Sequence, residues 1–430
     1  MEEQHKRYNR VKCTGEISGM MDRFYEDIRK APSEGRKVCW CVGASPYEML
    51  TAQGVANFQT ENHAARIAAG QDHMHYIDKA ESEGWPTDIC SYTRINVGAA
   101  LFIANGESDK VHERYRLPKP DFLWAGNTCP SMVQWGESLR RIFDVPMYGI
   151  DCPFIYEDDD ETYRKTVEYT KSQLEDFVIF IEKNTGRPYN WDALKDIVFR
   201  RMRKVAELRA KINQLCKRTP AVMSAFDALI AMGPAHMLRG DDVTEFYEKV
   251  LAEVKDRVEN GIYALPDEKY RLMWRGNFPW YAVGKMARWT AMNDICMTTT
   301  GYGFGGVGPH ARRMYPPDGF GTNDDALTFV AWNVTTRTYV RTLEFKMSEE
   351  VEEYINGYNI DGVVIHAPRS CRPWSMQTYD MANLIENRYG IPATVIEADH
   401  TDSRYYTKTS VDLKLQALAE SIRAKKGATL

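Results

Sequence analysis

Six short apolar runs gather in two groups near opposite ends of the 430-residue chain, and that separation constrains the fold more than any other feature. The first group is KVCWCVG (37–43), DFLWAGN (121–127) and PMYGID (146–151); the second is DICMTTT (294–300), DGVVIHAP (361–368) and IPATVIEAD (391–399). Each run is short, bounded by turn-forming residues and apolar without alternation, as a strand buried on both faces of a parallel sheet should be. From Glu157 to about Arg271 the pattern changes. Apolar residues there recur three and four apart within charged segments such as TYRKTVEYTKSQLEDFVIFIEKN and FYEKVLAEVKDRVENG, the period of amphipathic helices.

Strand runs alternating with helical patterns such as SEEVEEYINGY predict an α/β chain. The expected architecture is two lobes with parallel, Rossmann- or flavodoxin-like sheets plus a helical segment. The boundaries read as 1–156 for an N-terminal α/β lobe, 157–275 for the helical segment and 276–430 for a C-terminal α/β lobe. Ligands of such sheets sit in the crevice beyond the carboxyl ends of the strands. The Gly-rich stretch GYGFGGVGPHARRMYPPDGFG (301–321) reads as a long loop, and the acidic run YEDDDE (156–161) as a solvated loop or helix start.

A net charge of -5 and a pI near 6.1 argue against a nucleic-acid partner. No segment approaches the roughly 20 apolar residues of a membrane helix, and MEEQHKRYNR lacks a signal-peptide core, so the expected location is cytoplasmic with no membrane partner. Nine cysteines in such a chain favour thiol, metal or cluster chemistry over a disulfide framework. Three of them stand apart. Cys129, in AGNTCPSMVQW, follows an expected strand and opens an expected helix, where the helix dipole favours a thiolate. Cys371, in HAPRSCRPWS, has the same setting, and Cys90 lies in TDICSYTR beside a helix. A small buried thiol is the competing reading for each, because no CxxC spacing marks them. Cys39, Cys41, Cys152 and Cys296 read as core, while Cys13 and Cys216 have no evident role.

Taken in order, VCWCVGASPYEML, ENHAARIAAG, TDICSYTRINVG, PDFLWAGNTCPSMVQWGESLRRIFDVPMYGID, DGVVIHAPRSCRPWS and GIPATVIEADHTDSRYY resemble the 2-hydroxyacyl-CoA dehydratases and class I benzoyl-CoA reductases over roughly residues 36–420. The resemblance implies that Cys90, Cys129 and Cys371 hold a [4Fe–4S] cluster, three thiolates leaving one iron open. It also implies a homologous cluster-binding partner subunit, a separate ATP-hydrolysing iron–sulfur activator and an aroyl-CoA or acyl-CoA substrate. The chain has no GxxxxGK[ST] loop, which agrees with ATP hydrolysis on that activator.

Glu61 and His63, in a segment that lies near the substrate in the family, are candidate catalytic residues, against a helix-start Glu and a capping or solvated His. His366 and His400 are further proton-donor candidates at strand ends, with structural histidines as the alternative. Arg369, Arg372 and Arg404 are candidates for stabilising negative charge if they turn inward. Two chemistries fit the resemblance: reduction of an aromatic ring in an aroyl-CoA, and dehydration of a 2-hydroxyacyl-CoA through a ketyl radical. Dehydratases commonly carry a serine in the segment matching CVGASPYE, where alignment puts Gly43, and the aromatic loop at 301–321 suits a flat ligand. The sequence therefore leans to an aroyl-CoA reductase subunit, with the dehydratase (phenyllactyl-CoA or lactoyl-CoA type) as alternative and a non-catalytic binding subunit as a third reading.

Overall fold

Both groups of apolar runs become parallel sheets in the structure, a computed structural model that describes residues 7–43, 45–155, 159–300, 321–336 and 350–427. The first sheet holds β1 (Val38–Val42), β2 (Ala56–Gln59), β3 (Phe122–Gly126) and β4 (Met147–Ile150) in the order β2-β1-β3-β4. The second holds β5 (Tyr270–Arg275), β6 (Ile295–Thr300), β7 (Gly362–Pro368) and β8 (Ala393–Ala398) in the order β6-β5-β7-β8. All neighbours are parallel. The two sheets thus share one winding: the chain leaves the first strand to one side, then returns to pair on the other. That reversal opens a crevice at the carboxyl ends of β1 and β3, and another at those of β5 and β7.

Every residue of β1, β3 and β7 is buried, which is why these strands read as unbroken apolar runs. One central strand, β5, escaped the sequence reading, while β2 is the short strand-like run that precedes Glu61. β2 (ANFQ) is short and half polar, and β5 (YRLMWR) carries two arginines, yet Arg271 and Arg275 are both buried. β5 is central in the second sheet and lies at the end of the stretch read as 157–275. Helices Asp160–Thr185, Arg203–Cys216, Ala225–Met237 and Asp241–Glu259 account for the 3.6-residue period between the lobes. The end of the acidic run is a helix start: the Asp159 carboxylate accepts a hydrogen bond from the Thr162 amide at 2.8 Å.

The lobes exchange pieces. Helix Asn323–Thr336, from the second half of the chain, lies against helix Asp160–Thr185. Its Leu327, Val330 and Ala331 join Cys39, Cys41, Trp124 and Phe177 in the core on one face of the first sheet. In return, the Tyr8 hydroxyl accepts from the Met297 amide at 2.9 Å and donates to the Ile295 carbonyl at 3.1 Å, while the Asn9 amide donates to Ala264. Tyr8 and Asn9, near the start of the described residues, therefore pack with the far lobe. Cys39, Cys41, Cys152 and Cys296 are buried core residues, and all nine cysteines are free. Among the described residues no helix is long and apolar enough to cross a membrane.

On the other face of the first sheet, helices His73–Ser82 and Ser91–Ala104 approach so closely that a Cβ on Gly98 would lie 2.0 Å from the Tyr76 carbonyl oxygen. Gly98→Ala must separate these helices and should cost about 1–3 kcal/mol. Gly149→Ala, where nothing lies within 4 Å of the added carbon, should be near neutral. Urea unfolding midpoints of the two variants check this; equal midpoints would refute the close approach.

Candidate functional site

The winding of the two sheets delivers two cysteines to equivalent places. Cys129 lies three residues beyond the end of β3 and caps helix Pro130–Phe143; Cys371 lies three residues beyond β7 and caps the short helix Arg372–Ser375. Cys90 caps helix Ser91–Ala104. Each thiol is half-buried at a helix start, where unpaired amides and the dipole favour an anion. Burial is the main influence on all three. It pushes Cys90 up to about 12, Cys129 up to about 11 and Cys371 well above the ordinary thiol range. For Cys90 and Cys371 the neighbouring thiols come next: Cys129 raises Cys90, and Cys90 and Cys129 raise Cys371, so the three share one electrostatic neighbourhood.

Three soft thiols brought together from separate segments fit an iron–sulfur cluster, whose assembly would displace their protons. Among the described residues no group of three or more His, Cys, Asp or Glu side chains is gathered about a single metal ion.

A buried carboxylate braces this arrangement. Asp399, directly after β8, accepts from the Ser370 amide at 2.9 Å and hydroxyl at 2.5 Å, from the Ser91 hydroxyl, and from the Thr401 and Asp402 amides at 3.1 Å each. Burial would raise its pKa, but His400 and the Ser370 and Ser91 donors outweigh this and hold it below the usual carboxylate range. The lobes are further joined by buried Arg94, which pairs with Glu81 at 2.6 Å and Asp402 at 2.8 Å. Arg404 joins the same pair of carboxylates, at 2.6 and 2.7 Å, so it serves the lobe contact. His400 is fully buried, with Nε2 3.7 Å from the Cys90 sulfur and its ring 4.1 Å from that of Tyr92. The Tyr92 hydroxyl accepts from the Trp280 indole, closing an aromatic wall beside Cys90.

Glu61 comes within electrostatic reach of Cys129, while His63 is bonded to Tyr115 and Asn96. Glu61 sits at the start of helix Thr60–Ala69, accepts from the Gln59 amide group at 2.7 Å, and is pushed up to about 7 by burial. Its charge raises both Cys129 and Tyr92. His63 is buried and fully engaged: Nε2–H donates to the Tyr115 carbonyl at 2.8 Å, and Nδ1 faces the Asn96 amide group at 3.3 Å. Asn96 in turn accepts from the Trp135 indole at 2.9 Å. Burial lowers His63 to about 4, so it is a neutral cross-brace between the helices that carry Glu61, Cys90 and Cys129, neither capping nor solvated. His366 is likewise buried and lowered to about 4, its Nδ1 facing the Asn277 carbonyl.

Arg369 and Arg372 face solvent, the first over the Tyr405 ring and the second bonded to the Arg369 carbonyl, so neither stabilises buried charge. Gly43 is demanded by the backbone: φ is +82°, and a Cβ would meet the Met132 sulfur at 2.9 Å and the Gly126 carbonyl at 3.1 Å. Two residues on, Ser45 is buried with a hydroxyl that has no hydrogen-bond partner among the described residues. The sequence reading missed both Ser45 and Asp399. Residues 301–320 of the Gly-rich loop lie outside the described residues.

A family model described as 2-hydroxyglutaryl-CoA dehydratase, D-component, matches residues 41–422, a span that includes all three cysteines. The lactoyl-CoA dehydratase alpha subunit of Anaerotignum propionicum is 28% identical over 413 residues, covering 94% of each chain. The (R)-phenyllactyl-CoA dehydratase alpha subunit of Clostridium sporogenes is 29% identical over 410 residues, covering 93% of each. A benzoyl-CoA reductase subunit of Thauera aromatica is 24% identical over 440 residues, covering 99% of this chain and 97% of that one. With two parallel sheets, a shared thiol neighbourhood at their strand ends and a match along nearly its whole length, the chain belongs to the 2-hydroxyglutaryl-CoA dehydratase D-component family.

Proposed function

We propose that this chain is the iron–sulfur subunit of a 2-hydroxyacyl-CoA dehydratase, paired with a homologous subunit and charged by a separate ATP-hydrolysing activator. The observation that carries the reading is the meeting of three half-buried thiols, each at a helix start, in one electrostatic neighbourhood. The lean towards an aroyl-CoA reductase rested on Gly43 and on the 301–321 loop. Gly43 stands where the backbone tolerates no side chain, whereas the same segment does supply a serine, Ser45, with its hydroxyl unengaged among the described residues. Two dehydratase subunits, at 28% and 29% identity, also stand above the reductase subunit at 24%, a value shared by a 2-hydroxyglutaryl-CoA dehydratase alpha subunit. Both points support the dehydratase.

When bound, the cluster would supply a one-electron donor with an open iron position. Cys90, Cys129 and Cys371 would hold it. Dehydration takes a proton from the carbon beside the hydroxyl-bearing one and gives a proton to the departing hydroxyl. Glu61, with a pKa near 7, is present in both protonation states at neutral pH and suits either transfer. The Ser45 hydroxyl offers a buried donor to orient substrate, and Tyr92 with Trp280 keeps bulk water from the Cys90 side.

Three outcomes test this. In anaerobically purified protein, Cys90→Ala, Cys129→Ala and Cys371→Ala should each lose iron and the paramagnetic signal of the reduced cluster, while Cys13→Ala keeps both; unchanged iron in all three would remove the ligand assignment. Glu61→Gln should retain its iron and lose turnover by about 100- to 10,000-fold. Full turnover in that variant would exclude Glu61 from proton transfer. Finally, one activation pulse should sustain many turnovers of a 2-hydroxyacyl-CoA, because elimination of water returns the electron. A requirement for electrons in step with product, with benzoyl-CoA as the accepted substrate, would favour the reductase.

A further inference from the structure

We infer that Asp399 is a positioning residue that sets the separation of Cys90 and Cys371. The inference rests on the reading of those cysteines as cluster ligands and adds to it a residue that touches neither. The two oxygens of Asp399 receive five donors: Ser91 hydroxyl, Thr401 amide and Asp402 amide on one, Ser370 amide and hydroxyl on the other. Ser91 follows Cys90 in the chain and Ser370 precedes Cys371, so one carboxylate grips the immediate neighbour of each thiol.

The two neighbours also grip one another. The Ser91 amide donates to the Ser370 hydroxyl at 3.1 Å, and the Thr401 hydroxyl lies 2.5 Å from that of Ser91. Proton placement is fixed by this geometry. The Ser370 hydroxyl accepts from an amide and must give its own proton to Asp399. The Ser91 hydroxyl, giving its proton to Asp399, accepts from Thr401. Each oxygen of residue 399 is thus surrounded only by donors, and an amide there would turn an NH2 towards donors already in place. Asp399, Ser91 and Ser370 are all buried, so water cannot readily replace a lost contact. Ser91 belongs to the first lobe and Ser370 to the second, which makes the clamp a direct bridge between two thiols on separate halves of the molecule.

The test compares the full-length wild type with Asp399→Asn, Ser370→Ala and Asp227→Asn, each purified anaerobically with its cluster reconstituted. Asp227 is another buried carboxylate, but its donors Arg10, Val11 and Ser224 lie outside the three cysteine segments, so it reports on general destabilisation. The readouts are the rate of iron loss to a ferrous chelator, the paramagnetic spectrum of the reduced cluster and the melting of the metal-free chain. Asp399→Asn should release iron about 10-fold faster or more than wild type. Ser370→Ala should shift in the same direction by less, and Asp227→Asn should release iron at the wild-type rate. If Asp399→Asn does not fold, Ser370→Ala carries the comparison. Wild-type iron retention and an unaltered spectrum in Asp399→Asn, or equal acceleration in Asp227→Asn, would overturn the positioning role. A wild-type protein that binds no cluster would instead overturn the ligand reading, and the inference with it.

Discussion

Helices cover both faces of each sheet, so the buried central strands commit their backbones to ladder hydrogen bonds, and the polar groups that gather at the crevices come from strand ends and helix starts. Everything reactive in the molecule follows from that commitment. Cys129 and Cys371 occur where the third strand of each sheet gives way to a helix, at the reversal of winding that opens a crevice. Cys90 reaches the same place from a helix that packs against the first sheet, aligned by the Tyr115–His63–Asn96–Trp135 chain of hydrogen bonds.

Burial has opposite effects on the groups gathered there. It raises the thiols and Glu61 and lowers His400, favouring the uncharged form of each. Asp399 is driven the other way, because its lone pairs are fully occupied by donors.

How far the sequence could be read depended on what each residue must do locally. Six strands were legible because they are short apolar runs set between turn residues; β5 was not, since a strand with buried arginines imitates a surface helix. The cysteines stood out through their place after strands, but their convergence depends on how two sheets meet, which no local pattern encodes. Asp399 reads only as the last residue of the strand run IPATVIEAD, and its role emerges only when Ser91 arrives from three hundred residues away. Gly43 was misjudged because residue identity says nothing of φ; its left-handed conformation and the nearby Met132 and Gly126 explain the glycine without reference to chemistry.

The exchange of segments between the lobes has a consequence for how such a chain can be divided. Helix Asn323–Thr336 fills the core of the first lobe, and the Tyr8 region fills an edge of the second. Neither half contains all the apolar surface needed to close itself. A cut between the lobes would strip each of a packed segment, leave the apolar surfaces under that helix and around Tyr8 open to solvent, and part Cys371 from Cys90 and Cys129.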